Sequence, residues 1–263
     1  MSTVDARWRS AGFWDILMLP GSSPVAFVGA GGKTAALRLL AQEARTRESG
    51  AVLTVTTRLG IDQADMADEL LYRRGAEQGF PTRRVDSGRV VLTAEEPLPE
   101  LGKIRGLSPD EVCRLAREYP ALPVFIEADG AAGAGLKVPG DHEPLIPSCC
   151  RMVVALTGYP VLNADVSEAA IHRREEFERF LDGSGATVIA PGLMRRLLAD
   201  PAGSFKGAPE TALKVWLING ADSLTEVEKA AGFADEVMRS PAPADMVIVG
   251  SLRSGGELRW RRG

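Results

Sequence analysis

The chain has 263 residues, of which 45% are apolar and 25% are charged, and 31 basic side chains stand against 35 acidic ones for a net charge of -4. These proportions are those of an ordinary globular protein, and a chain of this length can bury a large core without disulfide or metal staples. Because the balance is mildly acidic and there is no dense block of lysine and arginine, we do not expect nucleic acid as a partner.

The first residues and the cysteines bear on cellular location. The apolar stretch 13–19 is short, contains Asp15 and precedes no small-residue cleavage pattern, so we expect no signal peptide and no membrane span. The cysteines, Cys113, Cys149 and Cys150, are odd in number, and two are sequence neighbours, which is poor geometry for a structural bridge. We therefore expect reduced cysteines and a cytoplasmic protein.

Short apolar runs alternate with stretches of helical periodicity along the chain. Continuous apolar runs are typical of strands that are buried on both faces of a parallel sheet. The sequence therefore predicts an α/β fold in which a mostly parallel sheet is flanked by helices. The predicted strands are 25–28, 51–55, 89–92, 124–126, 152–156, 213–218 and 246–249.

Three amphipathic helices are predicted between these strands. The first ends before Gly50 and has apolar residues at i, i+3, i+4 and i+7, namely Leu37, Leu40, Ala41 and Ala44. The segment Ser-Pro-Asp-Glu at 108–111 is a capping-box pattern that starts the second helix, which Pro120 ends. Asp222 or Ser223 can cap the third, whose predicted apolar residues are Leu224, Val227, Ala231, Ala234 and Val237.

The stretch 59–107 is less regular, with scattered charges and prolines, and it is a candidate insertion or lid on the sheet. The sequence contains no internal repeat, no heptad pattern and no low-complexity tail. We therefore predict a single domain over residues 1–263.

A glycine-rich segment joins the first predicted strand to the first predicted helix: Gly29, Ala30, Gly31, Gly32, Lys33 and Thr34. Glycines let several backbone amides point at one anion, and the helix N-terminus adds partial positive charge. Lys33 would neutralise the β- and γ-phosphates, and the Thr34 hydroxyl would ligate Mg²⁺. The usual pattern has its first glycine where this chain has Phe27, so the loop is a shortened form. It predicts a P-loop NTPase-like domain, and the alternative is a glycine-rich turn with an incidental Lys-Thr pair.

The apolar strand around 124–126 ends in two carboxylates, Glu127 and Asp129, as a Walker B strand does. Because ligands gather beyond the carboxyl ends of parallel strands, these acids are expected to face the glycine-rich loop. Asp129 is predicted to bind Mg²⁺ with Thr34, and Glu127 to orient a nucleophilic water, with Lys33 as the third catalytic group. Spacing alone leaves the two acid roles interchangeable, and a pair of solvated strand-end carboxylates is the alternative.

Two further strand ends carry candidate nucleotide contacts. Thr56, Thr57 and Arg58 offer hydroxyls and a guanidinium to a phosphate, although β-propensity alone also accounts for the threonines. Asn219 and Asp222 have the spacing of the guanine-reading Asn-Lys-x-Asp motif, with glycine in place of the lysine. An aspartate at the start of a helix is equally well explained as a cap. Both ATP and GTP therefore stay open as the nucleotide.

Several segments occur together in one order: Gly-Ala-Gly-Gly-Lys-Thr (29–34), Glu-Ala-Asp-Gly-Ala (127–131), Leu-Lys-Val-Pro (136–139), His-Glu-Pro-Leu-Ile-Pro (142–147), His-Arg (172–173) and the pair Asn219 and Asp222. In this combination the chain resembles the YqeC family, described as accessory proteins of selenium-dependent molybdenum hydroxylases. The resemblance covers nearly the whole chain. It implies a P-loop protein that uses Mg²⁺ with ATP or GTP and acts in the maturation of a molybdenum hydroxylase, with that enzyme or its cofactor as partner.

The resemblance also implies roles for residues to which spacing alone assigns none. Lys137 becomes a second phosphate-neutralising cation rather than a surface lysine. Arg173 becomes a substrate or anion contact rather than part of a solvated helix face. The only histidines, His142 and His172, are too few and too far apart to form a metal site with the cysteines.

Three functional hypotheses follow from these residues. The first is an accessory protein that hydrolyses a nucleoside triphosphate with Mg²⁺ and hands something to a client enzyme. The second is a transferase or ligase that uses the nucleotide to activate a small molecule or cofactor precursor. The third is a binding module that retains the nucleotide without turnover.

Overall fold

The computed structural model describes residues 8–18, 23–73, 88–253 and 258–263. Its strands are β1 (Arg9–Ser10), β2 (Val25–Gly29), β3 (Ala51–Val55), β4 (Arg58–Gly60), β5 (Glu69–Tyr72), β6 (Val90–Ala94), β7 (Glu96–Leu98), β8 (Lys103–Arg105), β9 (Val124–Glu127), β10 (Leu136–Lys137), β11 (Met152–Gly158), β12 (Ile171–His172), β13 (Leu213–Asn219), β14 (Met246–Gly250) and β15 (Leu258–Arg262). The helices are α1 (Phe13–Leu17), α2 (Lys33–Thr46), α3 (Pro109–Glu118), α4 (Arg174–Leu181), α5 (Pro191–Ala199) and α6 (Leu224–Val237). None of these helices, within the ranges given, has both the length and the apolar character that crossing a bilayer requires.

The main sheet has ten strands in the order β1-β15-β14-β13-β11-β2-β9-β3-β6-β5. Every pair of neighbours from β14 to β5 is parallel, and antiparallel pairing is confined to β15 and β1 at one edge. Each of the predicted strands lies in this sheet. The predicted α/β fold with a mostly parallel sheet flanked by helices is therefore confirmed, and it is P-loop NTPase-like.

Helices cover both faces of the sheet, because alternate side chains of a strand enter two separate cores. In β2, Ala26 and Val28 belong to the core that includes residues of α3, α4, α5 and α6. Val25 and Phe27 belong to the opposite core, with α1 and α2. This double burial explains why the central strands are continuous apolar runs. The predicted apolar face of α2 is confirmed, since it buries Leu37, Leu40, Ala41 and Ala44.

Two helix starts follow the predicted cap chemistry. Ser108 and Glu111 form the capping box of α3, with the Ser108 amide donating to Glu111 Oε2 at 2.7 Å. The cap of α6 is Ser223 and not Asp222. The predicted apolar face of α6 is wrong at Leu224, which is 62% exposed because it is the first residue of the helix. The buried residues of α6 are Val227, Ala230, Phe233, Ala234 and Val237.

The stretch 59–107 contributes to two sheets. β5 and β6 form one edge of the main sheet, whereas β4, β8 and β7 form a small antiparallel sheet in that order. Leu59 and Ile104 pair across β4 and β8 and are buried in the core on the α2 side. Because side chains alternate along a strand, Arg58 and Arg105 project from the other face of the small sheet.

The expectation that the cysteines form no bridge is wrong. Cys113 on α3 and Cys149, which are 36 residues apart, form a disulfide with their Cα atoms 5.6 Å apart. Sequence spacing argues only against a bridge between the neighbours Cys149 and Cys150. It could not show that the fold brings α3 against the segment before β11. Cys150 is a buried free thiol, and burial raises its pKa to about 12.

Candidate functional site

The glycine-rich loop connects β2, near the middle of the sheet, to α2. Since β2 lies between β11 and β9, the loop stands at the carboxyl ends of three adjacent parallel strands. Gly31 and Gly32 have φ angles of 103° and 123°, which L side chains rarely adopt. A Cβ at Gly31 would also clash with the backbone of Gly158. The backbone path and its close approach to β11 therefore require these glycines.

The loop amides differ in their availability to a ligand. The Gly29 amide donates to Asp129 Oδ2 at 3.0 Å, and the Ala30 amide donates to a β11 carbonyl at 3.2 Å. Within the described part of the chain, the amides of Gly31 and Gly32 have no acceptor. The first amides of α2 also lack intrahelical partners, as at every helix start. The backbone amides that can bind an anion therefore begin at Gly31, two residues after the loop begins at Gly29.

Lys33 is only 3% exposed although it is charged. Its Nζ donates to the Gly29 carbonyl at 2.6 Å and lies 3.1 Å from Asp129 Oδ1. The side chain is therefore folded back along the loop, where the carboxylate balances its charge.

Thr34 and Glu127 meet where β9 ends. Thr34 Oγ1 donates to Glu127 Oε2 at 3.0 Å. Burial raises the pKa of Glu127, and the neighbouring charge of Asp129 adds to that rise, while Lys33 and the Thr34 hydrogen bond offset only part of it. A hydroxyl beside a carboxylate is a donor pair that suits Mg²⁺, and a divalent cation here would favour the ionised acid.

Asp129 is fully buried and lies between two lysines. Its Oδ1 is 3.1 Å from Lys33 Nζ, and its Oδ2 is 3.1 Å from Lys137 Nζ. Lys137 Nζ also lies 2.7 Å from Glu143 Oε1, and the same oxygen is 3.2 Å from Arg173 Nε. These five side chains form an ion cluster that extends from the glycine-rich loop to the start of α4.

The two acids that follow one another on the chain therefore have different surroundings. Glu127, the last residue of β9, contacts the Thr34 hydroxyl, whereas Asp129, beyond the strand, contacts lysines. In this arrangement the neighbour of Thr34 is Glu127 and not Asp129, the residue that was predicted to bind Mg²⁺ with Thr34. The alternation of a strand no longer applies past its last residue, so sequence position alone does not determine which acid meets Thr34.

Two adjoining clefts open at this edge of the sheet. The first has a volume of about 740 Å³ and is lined by the loop from Gly31 to Thr34, by Glu127 and by residues 130–134, among others. The second has a volume of about 540 Å³, and its lining includes Thr56 and Thr57. Both clefts share the lining residues Arg58, Lys103, Gly130, Glu143 and Arg173.

Asn219 and Asp222 lie beside the loop and outside the linings of both clefts. Asn219 Nδ2 donates to the Gly31 carbonyl at 2.7 Å, and its Oδ1 accepts from the Leu252 amide at 2.9 Å. Asp222 Oδ1 accepts from Ser251 Oγ at 2.7 Å, and its Oδ2 lies 3.0 Å from an Arg253 guanidinium nitrogen. Asn219 therefore braces the loop, and Asp222 is oriented by the segment after β14.

Some residues at this edge carried no functional prediction. Glu143 joins Lys137 to Arg173, and although burial raises its pKa, the hydrogen bond and charge of Lys137 outweigh that effect and lower the pKa overall. Lys103 lines both clefts from β8. His172 lines the first cleft, and burial together with the charge of Lys137 lowers its pKa. Glu143 and His172 lie in the segments 142–147 and 172–173 that carry the family resemblance, which is the sequence signal that covers them.

The fold and the loop define a P-loop NTPase-like α/β protein. A family model described as "YqeC protein" matches residues 25–175. The uncharacterized protein YqeC of Escherichia coli strain K12 is 32% identical over 200 residues, which are 74% of this chain and 75% of that protein. The chain belongs to the YqeC family. No solved structure matches it.

Proposed function

We propose that this protein is a Mg²⁺-dependent nucleoside triphosphatase that acts as an accessory protein in the maturation of a molybdenum hydroxylase. The nucleotide part rests on one observation, the 3.0 Å contact between Thr34 Oγ1 and Glu127 Oε2 beside the open loop amides. Backbone amides that can donate to phosphate oxygens, a lysine, and a hydroxyl–carboxylate pair that suits Mg²⁺ converge there on one cleft. Positioned charges of this kind are what phosphoryl transfer chiefly requires of a protein.

Each group at the loop then has a distinct role. The amides of Gly31 and Gly32 bind phosphate oxygens, and Lys33 leaves Asp129 to neutralise the β- and γ-phosphates. Thr34 and Glu127 hold Mg²⁺, which when bound neutralises charge on the phosphate oxygens. Asp129 holds Lys33 and Lys137 together in the absence of nucleotide.

Two arginines complete the proposed site. Arg58 and Arg173 line the first cleft together with the loop. A guanidinium in that position is suited to stabilise charge that develops on a transferred phosphoryl group. Thr56 and Thr57 belong to the adjoining cleft, so their proposed partner is a second ligand and not the phosphates in the loop.

The maturation role rests on membership of the YqeC family and on what the resemblance to that family implies. A molybdenum hydroxylase or its cofactor is the proposed client, and ATP or GTP the proposed nucleotide. Hydrolysis at the loop would then drive a conformational change by which the protein transfers something to the client.

A transferase or ligase is the second candidate function. The observation in its favour is the adjoining cleft of about 540 Å³, which shares part of its wall with the first and has room for an acceptor molecule. In that case the nucleotide activates a small molecule, and phosphate release without the acceptor would be slow.

Titration calorimetry and phosphate release together test these functions. We expect the parent to bind ATP or GTP with Mg²⁺, and Lys33→Ala to weaken that binding by about tenfold or more, because a charge-assisted contact is lost. Lys229→Ala, which removes an exposed lysine on α6, is the matched control. Steady phosphate release by the parent alone supports hydrolysis, release only with an acceptor supports a transferase, and binding without release indicates a module without turnover. Equal nucleotide affinity of Lys33→Ala and the parent would refute the loop assignment.

A further inference from the structure

The small sheet presents a basic face to the second cleft. In the β4–β8 pair, Arg58 stands directly opposite Arg105, and Gly60 stands opposite Lys103. Like charges in directly opposed positions repel, so this pairing is unfavourable unless an anion lies between or beside them. The opposite face of the same strands is apolar and buried, which fixes the basic side chains on the cleft side.

Two of these cations have no anionic partner among the described residues. Arg105 is paired, with its Nε 3.0 Å from Glu96 Oε1. Among the residues that the structure describes, no carboxylate lies within 4.0 Å of the charged groups of Arg58 or Lys103, although both side chains line the two clefts. The acids of the second cleft are already engaged, Glu95 with Arg105 and Glu143 with Lys137. The cleft therefore has an excess of two positive charges.

Thr56 provides an independent observation in the same cleft. The residue is only 6% exposed, and its hydroxyl oxygen has no hydrogen-bond partner in the described ranges. A buried hydroxyl without a partner costs free energy, and a ligand oxygen in the cleft would satisfy it. Its backbone amide, in contrast, donates to the Glu127 carbonyl at 3.0 Å, which holds the residue beside the end of β9.

We infer that the second cleft binds the phosphate group of a phosphate monoester, held by Arg58, Lys103 and the Thr56 hydroxyl next to the nucleotide. The two unpaired cations match the two negative charges that such a group carries above its second pKa of about 6. The hydroxyl adds a donor for a third oxygen, which a planar carboxylate lacks. This inference rests on the proposed function for its setting, since it assigns the chemical class of the second ligand at the same site.

Calorimetry on nucleotide-loaded protein tests the inference, because the glycine-rich loop is then occupied. Inorganic phosphate and glycerol phosphate are titrated into protein saturated with Mg²⁺ and a non-hydrolysable analogue of ATP or GTP. We expect both to bind, glycerol phosphate at least as tightly, and acetate to bind far more weakly. Arg58→Ala/Lys103→Ala should weaken glycerol phosphate binding by about tenfold or more, and Thr56→Val by a smaller factor. Arg262→Ala, an exposed arginine at the opposite end of the sheet, should leave the affinity unchanged.

A second arm of the experiment separates this inference from the proposed function. In Lys33→Ala without nucleotide, glycerol phosphate binding that is lost on adding Arg58→Ala/Lys103→Ala supports the second site even if no nucleotide binds. Binding of inorganic phosphate alone would overturn the monoester assignment in favour of an exit site for free phosphate. Equal glycerol phosphate affinity with and without Arg58 and Lys103, or no binding in either arm, would overturn the inference outright.

Discussion

The side-chain amide of Asn219 donates a hydrogen bond of 2.7 Å to the Gly31 carbonyl, although the two residues are 188 positions apart in the chain. Asn219 ends β13, two strands away from β2, and its own oxygen accepts from the Leu252 amide. The contact engages a carbonyl of the glycine-rich loop and so braces the loop backbone.

Asn219→Ala should therefore weaken nucleotide binding through the loop and not through the base. We expect a loss of about fivefold for ATP and GTP alike, since a net hydrogen bond contributes about 1 kcal/mol. Calorimetric titration of both nucleotides measures it, with Gln42→Ala on the exposed side of α2 as an amide-removing control. A loss confined to GTP would show that Asn219 reads the base instead.

The two acids near the loop should respond differently to neutralisation. Glu127→Gln is expected to keep the fold and to lose Mg²⁺-dependent turnover, because the Thr34 hydroxyl then lacks its charged neighbour. Asp129→Asn is expected to lower the free energy of unfolding by about 3 kcal/mol, because buried Lys33 and Lys137 lose their shared counter-charge. Urea unfolding and phosphate release, measured on both variants, separate the two roles. A stable, inactive Asp129→Asn beside an active Glu127→Gln would reverse the assignment.

The raised pKa of Glu127 predicts a pH dependence of stability. Between its ordinary value of 4.5 and the raised value, the folded protein holds a proton that the unfolded chain has released. The stability of the ligand-free protein should therefore fall as the pH rises through this window, and Mg²⁺ should reverse part of the fall by favouring the carboxylate. Melting temperatures of the parent and Glu127→Gln across the window measure it.

Because other acids also titrate there, only the difference between parent and variant is diagnostic. We expect Glu127→Gln to gain stability relative to the parent with rising pH. A constant difference across the whole range would mean that burial does not hold the proton on Glu127.

Asp222 is the residue at which a choice between guanine and adenine can be tested. Ser251 orients one carboxylate oxygen, and the Arg253 side chain near the other is 83% exposed, so a ligand can displace that weak surface ion pair. If Asp222 contacts the base, the parent should bind GTP more tightly than ATP by about tenfold, because guanine offers paired N–H donors and adenine does not. Competition between ATP and GTP in the parent and in Asp222→Ala measures it. Equal affinities in both proteins would leave Asp222 as a partner of Ser251 and Arg253 alone.

Much of the fold was predictable because the central strands are buried on both sides. Val25 to Val28 and Met152 to Leu156 are continuous apolar runs for that reason. Strand β15, which lies between β1 and β14, escaped prediction because its sequence, Leu-Arg-Trp-Arg-Arg, largely alternates apolar and charged residues instead of forming a continuous apolar run. The short helix α4 has one buried residue, which is too few for a periodic signal, and α5 is only nine residues long.

Four members of the candidate site were predictable from the sequence, but their pairing was not. Lys33, Thr34, Glu127 and Asp129 all lie at the loop, as strand order and sheet geometry require. Which acid meets which partner depends on the β2–β9 register and on Lys137, which returns to Asp129 from beyond the end of β9. Such long-range contacts leave no periodic trace in the sequence.

The pairing of Lys33 with Asp129 changes what nucleotide binding means for this protein. The Asp129 carboxylate already pairs with the Lys33 ammonium group, to which a phosphate would bind, and the pair is buried away from water. Under the proposed function, nucleotide binding would therefore exchange one anion for another at a lysine that has no hydration shell left to lose. The affinity for a nucleotide would then measure the preference of Lys33 between two anions rather than its attraction to one.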